Sequence, residues 1–116
     1  MSVLTLNPGQ VTLAELRDLF YRQPTIALAA SCWAQVQGSA DTVDATVIKG
    51  KAAYGINTGF GPLSGFRVSD ADLAQHQVNL LYHLTVGQGA LFSPAETRAI
   101  MLTRANALAR GYSGIR

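Results

Sequence analysis

Residues 52–68, Ala-Ala-Tyr-Gly-Ile-Asn-Thr-Gly-Phe-Gly-Pro-Leu-Ser-Gly-Phe-Arg-Val, constrain the fold more than any other stretch. Four glycines and a proline exclude a regular helix, since glycine is costly to order and proline breaks the backbone ladder. Yet Arg67 is the only charge in the segment, and a solvent-facing loop is normally more polar. The segment therefore reads as a buried or lid-like loop whose backbone closely approaches something else.

Helix signals lie on both sides of it. Thr12 and Glu15 form a T-x-x-E capping box, followed by Leu13, Leu16, Leu19 and Phe20 at helical spacing and ended by Pro24. Residues 25–31 read as a connector. Cys32, Val36, Ala40, Val43 and Val47 make one stripe of a second helix, which Lys49-Gly50-Lys51 stops. Ser69 with Asp72 opens a third, whose face carries Leu73, His76, Leu80, His83 and Leu84 and which ends at Gly87-Gln88-Gly89. Ser93, Pro94 and Glu96 make the strongest helix start, and Ile100, Met101, Ala105, Leu108 and Ala109 carry that helix to Gly111. Near the start, Asn7-Pro8-Gly9 marks a turn between two short extended pieces within Val3 to Val11. The expected fold is mainly α, with four helices, short extended segments, no internal repeat and no strong domain boundary.

Composition adds a constraint on surroundings. Only 14% of the 116 residues are charged against 48% hydrophobic, whereas a typical soluble domain has roughly 25% charged residues. Much of the chain is therefore expected to be covered by other protein. The net charge of +2 comes without a basic stripe, so nucleic acid is not an expected partner. The single cysteine, Cys32, excludes an internal disulfide and suits a reducing compartment. There is no signal-peptide pattern, and no apolar run approaches the roughly 20 residues that span a bilayer. A cytoplasmic setting without membrane contact is expected.

For chemistry, the glycine spacings fit neither G-x-G-x-x-G nor a P-loop. No metal site is expected, because His76 and His83 are two helical turns apart, about 10 Å along the axis, and no Cys/His cluster exists. His76 reads as a hydrogen-bonded core histidine. In Tyr54-Gly55-Ile56-Asn57-Thr58-Gly59-Phe60-Gly61 the glycines let backbone groups reach a ligand. A phenol, with an ordinary pKa near 10, serves as a general base only where positive potential favours its anion. The competing reading is a structural glycine-rich turn with a packed tyrosine.

This segment resembles the Tyr-Gly-x-Asn-Thr-Gly-Phe-Gly loop of the aromatic amino acid ammonia-lyase family, which includes histidine, tyrosine and phenylalanine ammonia-lyases and related aminomutases. Three further stretches resemble the same family in the same order. They are Pro8-Gly9 to Leu16, Asn79-Leu80-Leu81-Tyr82-His83-Leu84 leading into Gly87-Gln88-Gly89, and Asn106 to Arg116. The resemblance covers essentially the whole chain, although family members are several times longer.

The resemblance implies a mainly helical, homotetrameric enzyme with active sites built from several subunits. Such enzymes eliminate ammonia from an L-amino acid to give a trans-enoate such as coumarate. Their electrophile is a methylidene-imidazolone (MIO) formed from an internal Ala-Ser-Gly. By resemblance Tyr54 is the catalytic base, and Gly61 with its neighbours shapes the loop that closes over substrate. His83-Leu84 matches the family's tyrosine-type selectivity pair, with His83 bonding the phenolic hydroxyl and Leu84 packing on the ring. L-tyrosine is thus the expected substrate, with L-phenylalanine and L-histidine as the other candidates. Asn106, Arg110 and Arg116 are expected in structural roles, and Tyr82 in packing.

The tripeptide itself is absent: Ala30-Ser31 is followed by Cys32, Gly38-Ser39 by Ala40, and Ser113-Gly114 is preceded by Tyr112. Residues 1–116 are therefore expected to be the N-terminal part of the ammonia-lyase domain, truncated before the electrophile, holding no cofactor-binding residue and inactive alone. A tyrosine 2,3-aminomutase of the same family and a non-catalytic interaction module are the alternatives.

Overall fold

A computed structural model describes residues 3–115. Arg116 lies outside them. The elements in order are β1 (Val3–Leu6), α1 (Leu13–Arg22), β2 (Thr25–Leu28), α2 (Trp33–Ile48), α3 (Leu73–Leu84) and α4 (Pro94–Leu108), with 3-10 turns at Ala30–Cys32 and Gly61–Leu63. The chain is mainly helical, as expected. It divides into two compact units, one running up to Asp41 and resuming at Leu91, the other Thr42–Ala90.

In the first unit, both capping boxes form. Thr12 accepts from the Glu15 N–H while the Glu15 carboxylate accepts from the Thr12 N–H, and Ser93 and Glu96 repeat this at α4. Each box satisfies orphan donors of a first helical turn. Gln23 adopts a left-handed conformation (φ 52°) before Pro24, which disfavours a helical predecessor and so ends α1.

The connector expected over 25–31 instead contains β2, which pairs in parallel with β1 from Val3↔Thr25 to Leu6↔Leu28. Parallel neighbours need a crossover, and α1 supplies it. The second extended piece expected after Asn7-Pro8-Gly9 does not form, because β1 takes its partner from beyond α1. Leu6, Leu19 and Leu102 are buried here, joining β1, α1 and α4, with Leu4, Val11, Leu16, Ile26 and Leu28 packed around them.

Two turns lock onto helices by close backbone approach. The Gly9 N–H donates to Asn106 Oδ1 at 3.1 Å. Gly111 (φ +72°) sits so close to Gln35 that a Cβ would lie 2.7 Å from its carbonyl oxygen, so only glycine fits. An apolar groove of about 660 Å³ runs between the sheet and α4, lined by Leu6, Ile26, Leu28, Phe92, Met101 and Arg98 among others. The Arg98 Nη1 is buried there with no hydrogen-bond partner among the described residues.

The second unit holds the end of α2, the glycine-rich loop and α3. Gly50 takes φ +66° as the expected stop. The third helix begins later than its Ser69 signal: Asp72 is the N-cap, and Ser69 spends its hydroxyl on the Asp72 carboxylate. Among the described residues no helix is long and apolar enough to cross a membrane.

Candidate active site

The loop between α2 and α3 is organised around Asn57. Its side chain is fully buried (0% exposed), accepting the Ala53 N–H at 2.8 Å and donating to the Lys51 carbonyl at 3.0 Å. The Val68 N–H returns to the Asn57 carbonyl at 2.9 Å, and Thr58 bridges Arg67 in antiparallel fashion, so both ends of the loop are tied together. Arg67 in turn donates to the Gly50 carbonyl at 2.7 Å and pairs with Asp70 at 3.3 Å. One guanidinium thus fastens the loop to the end of α2. Gly59 packs so tightly on Leu63 that a Cβ would sit 2.6 Å from its carbonyl oxygen.

The expected burial is therefore half right. Asn57, Thr58 and Gly59 are buried, while residues 61–67 are exposed.

Tyr54 stands on that rim, 68% exposed, within a turn tightened by Gly55 at φ +76°. Its Oη accepts the Gly61 N–H at 3.4 Å, and Gly61 holds φ +55° to present that N–H. The loop thus brings together the predicted base and the predicted loop-shaping glycine. Phe60 meets the Tyr54 ring edge-on, with centroids 6.1 Å apart, and itself stacks on His76 at 5.1 Å and 10°.

His76 corrects one expectation. Among the described residues it is not a hydrogen-bonded core histidine: its Nε2 is buried without a partner there, and its contact with the loop is made by the ring face. Neighbouring Gln77 donates from Nε2 to the Gly55 carbonyl at 3.2 Å. Sequence reasoning passed over Phe60, His76 and Gln77 in this arrangement, and the only available signal was an aromatic and a histidine on either side of the loop's end.

His83 and Leu84 occupy the final turn of α3 and are exposed, Leu84 by 67%. His83 follows His76 by seven residues, which returns it to the same helix face about 10 Å further along. No hydrogen bond or ring contact joins His83 or Leu84 to Tyr54 among the described residues. Tyr82, expected to pack, is 71% exposed. No group of three or more potential metal ligands occurs among the described residues.

With this geometry in place, three comparisons bear on ancestry. A histidine ammonia-lyase of Salmonella arizonae is 41% identical over 116 residues, spanning 100% of this chain and 23% of that protein. The crystal structure of tyrosine aminomutase from Streptomyces globisporus superposes with a TM-score of 0.91 at 27% identity, over 99% of this chain and 22% of that one. Histidine ammonia-lyase from Trypanosoma cruzi gives 0.86 at 28% identity, with the same shares of 99% and 22%. The chain thus spans less than a quarter of the length of these relatives. The sequence model of aromatic amino acid lyases matches residues 11–116. Nearly the whole chain is accounted for by that match, and it belongs to the aromatic amino acid lyase family.

Proposed function

We propose that the whole protein carrying this sequence is an ammonia-lyase that eliminates ammonia from L-tyrosine to give the trans-enoate, coumarate. The observation that carries this reading is the Tyr54 loop itself: an exposed phenol, oriented by the Gly61 N–H, on a rim anchored by a fully buried Asn57. Removing a weakly acidic β-proton demands a base that approaches substrate without solvent between them. Tyr54, as the base, takes that proton, the electron pair of the broken C–H bond forms the new double bond, and ammonia departs with the electrons of the carbon–nitrogen bond. Gly55 and Gly61, both left-handed, let the strap bend over substrate without side chains in the way.

Selectivity falls to the end of α3. His83 offers a hydrogen-bonding partner for a phenolic hydroxyl, and Leu84 gives an apolar surface for the ring. A pocket built this way disfavours phenylalanine, which leaves the imidazole unpaired. Support comes from the helical register, which sets His83 on the face where His76 meets the loop.

These 116 residues contain no Ala-Ser-Gly and so do not form the MIO themselves. When present, that electrophile makes the amino group a better leaving group; the assigned work of this chain is proton removal, substrate orientation and exclusion of water. A homotetramer in the cytoplasm belongs to the same reading, supported by large exposed apolar side chains and by a free thiol at Cys32.

The test is to express the complete gene and follow enoate absorbance with L-tyrosine, L-phenylalanine and L-histidine. Coumarate formation that is fastest with tyrosine and falls at least about 100-fold in Tyr54→Phe is the expected result. Preference for histidine, the substrate named for the Salmonella relative, would overturn the selectivity assignment. Because a tyrosine aminomutase shares the fold at a TM-score of 0.91, chromatography for β-tyrosine separates lyase from mutase.

A further inference from the structure

Outside the assigned residues, α3 touches the Tyr54 loop through two consecutive side chains. Gln77 holds the backbone immediately after Tyr54, donating to the Gly55 carbonyl at 3.2 Å. His76 holds the other end of the same stretch, stacking on Phe60 at 5.1 Å with ring planes only 10° apart. Phe60 passes that constraint back to Tyr54 through an edge contact at 6.1 Å, and the next residue, Gly61, donates to the phenol oxygen. Adjacent helical residues diverge by about 100°, so the two grips straddle the loop rather than duplicate each other.

The contacts of His76 point to how this residue acts. Nε2 is buried with no hydrogen-bond partner among the described residues, while the ring face is packed on Phe60. What remains is a flat, polarizable plate whose face fits an aromatic ring.

We infer that His76 and Gln77 form a clamp that positions the catalytic phenol, with His76 acting through the face of its ring on Phe60. His76 is a positioning residue, since it reaches the chemistry only through Phe60 and Tyr54. This deepens, and rests on, the assignment of Tyr54 as base.

The clamp is tested on the product of the complete gene by hydrogen–deuterium exchange and steady-state kinetics together. His76→Ala removes the plate, and exchange across residues 54–63 is expected to quicken about tenfold while α4 is unaffected. Turnover falls about tenfold with little change in KM, because substrate still binds but the phenol is misplaced. His76→Phe keeps a stacking face without nitrogens and restores both readouts; His76→Leu, similar in bulk but not flat, restores neither. Gln77→Ala loosens the Gly55 end alone. If exchange in the loop is unchanged in His76→Ala, or if Leu rescues as well as Phe, the clamp is refuted. Should His76→Ala also loosen α4, the Leu and Phe pair still decides. A Tyr54→Phe protein that keeps its turnover removes the base assignment instead, while the exchange result continues to judge the clamp.

Discussion

Asn57 shows how much of a loop can depend on one amide. Its fully buried side chain accepts from Ala53 and donates to Lys51, so its loss takes away the partner of a part-buried N–H and of a carbonyl at the start of the loop. Asn57→Ala is expected to destabilise the protein by about 2 kcal/mol, read as a lowered denaturant midpoint. At the other end of the proposed site, His83→Phe exchanges a hydrogen-bonding ring for an apolar one of similar breadth. Relative kcat/KM should move from tyrosine toward phenylalanine by about 10-fold or more, measured by competing the two substrates. Unchanged selectivity would place His83 outside the substrate pocket.

At the level of elements, the two capping boxes each tie a helix start to a titratable carboxylate. Hydrogen bonds from the Thr12 backbone and hydroxyl hold Glu15 below the ordinary carboxylate range, and those from the Ser93 hydroxyl and backbone do the same for Glu96. A carboxylate whose folded pKa is depressed stabilises the helix start above its unfolded value, and that contribution is lost as pH falls through the folded value. Acidification below about pH 4.5 should therefore fray the first turns of α1 and α4 before other segments. Side-chain carboxyl shifts titrating below those of a free glutamate would verify this. Thr12→Ala and Ser93→Ala should each cost about 1 kcal/mol at neutral pH. These boxes, like the Gly50 stop, were legible in the sequence because a cap is made by residues three apart. Strand β2 was not: four residues carry little periodicity, and the partner of Thr25 is Val3, across an entire helix.

For the whole molecule, the low share of charge has a structural counterpart. Leu13, Ile48, Leu91, Phe92 and Met101 are among the large apolar side chains left exposed. Surfaces of this kind bury themselves against other protein. The isolated 116-residue chain should consequently self-associate in a concentration-dependent way on size exclusion; a sharp monomer at high concentration would contradict this. The apolar groove under Arg98 gives a finer test. Arg98→Leu removes a buried nitrogen that has no partner among the described residues and should raise the stability of the isolated chain by about 1 kcal/mol, by thermal melting.

The amino-acid sequence alone determined where most helices start and stop, which stretch resists being a helix, and that a phenol sits amid glycines. All of these rest on hydrogen bonds and steric limits between residues a few positions apart. The tertiary structure decided the parallel pairing of β1 with β2, the displacement of the α3 cap from Ser69 to Asp72, and the turn of His76 toward Phe60 rather than toward a polar partner. Those outcomes depend on which distant surfaces meet, and free energy from burial and stacking is assigned only once the chain has brought them together.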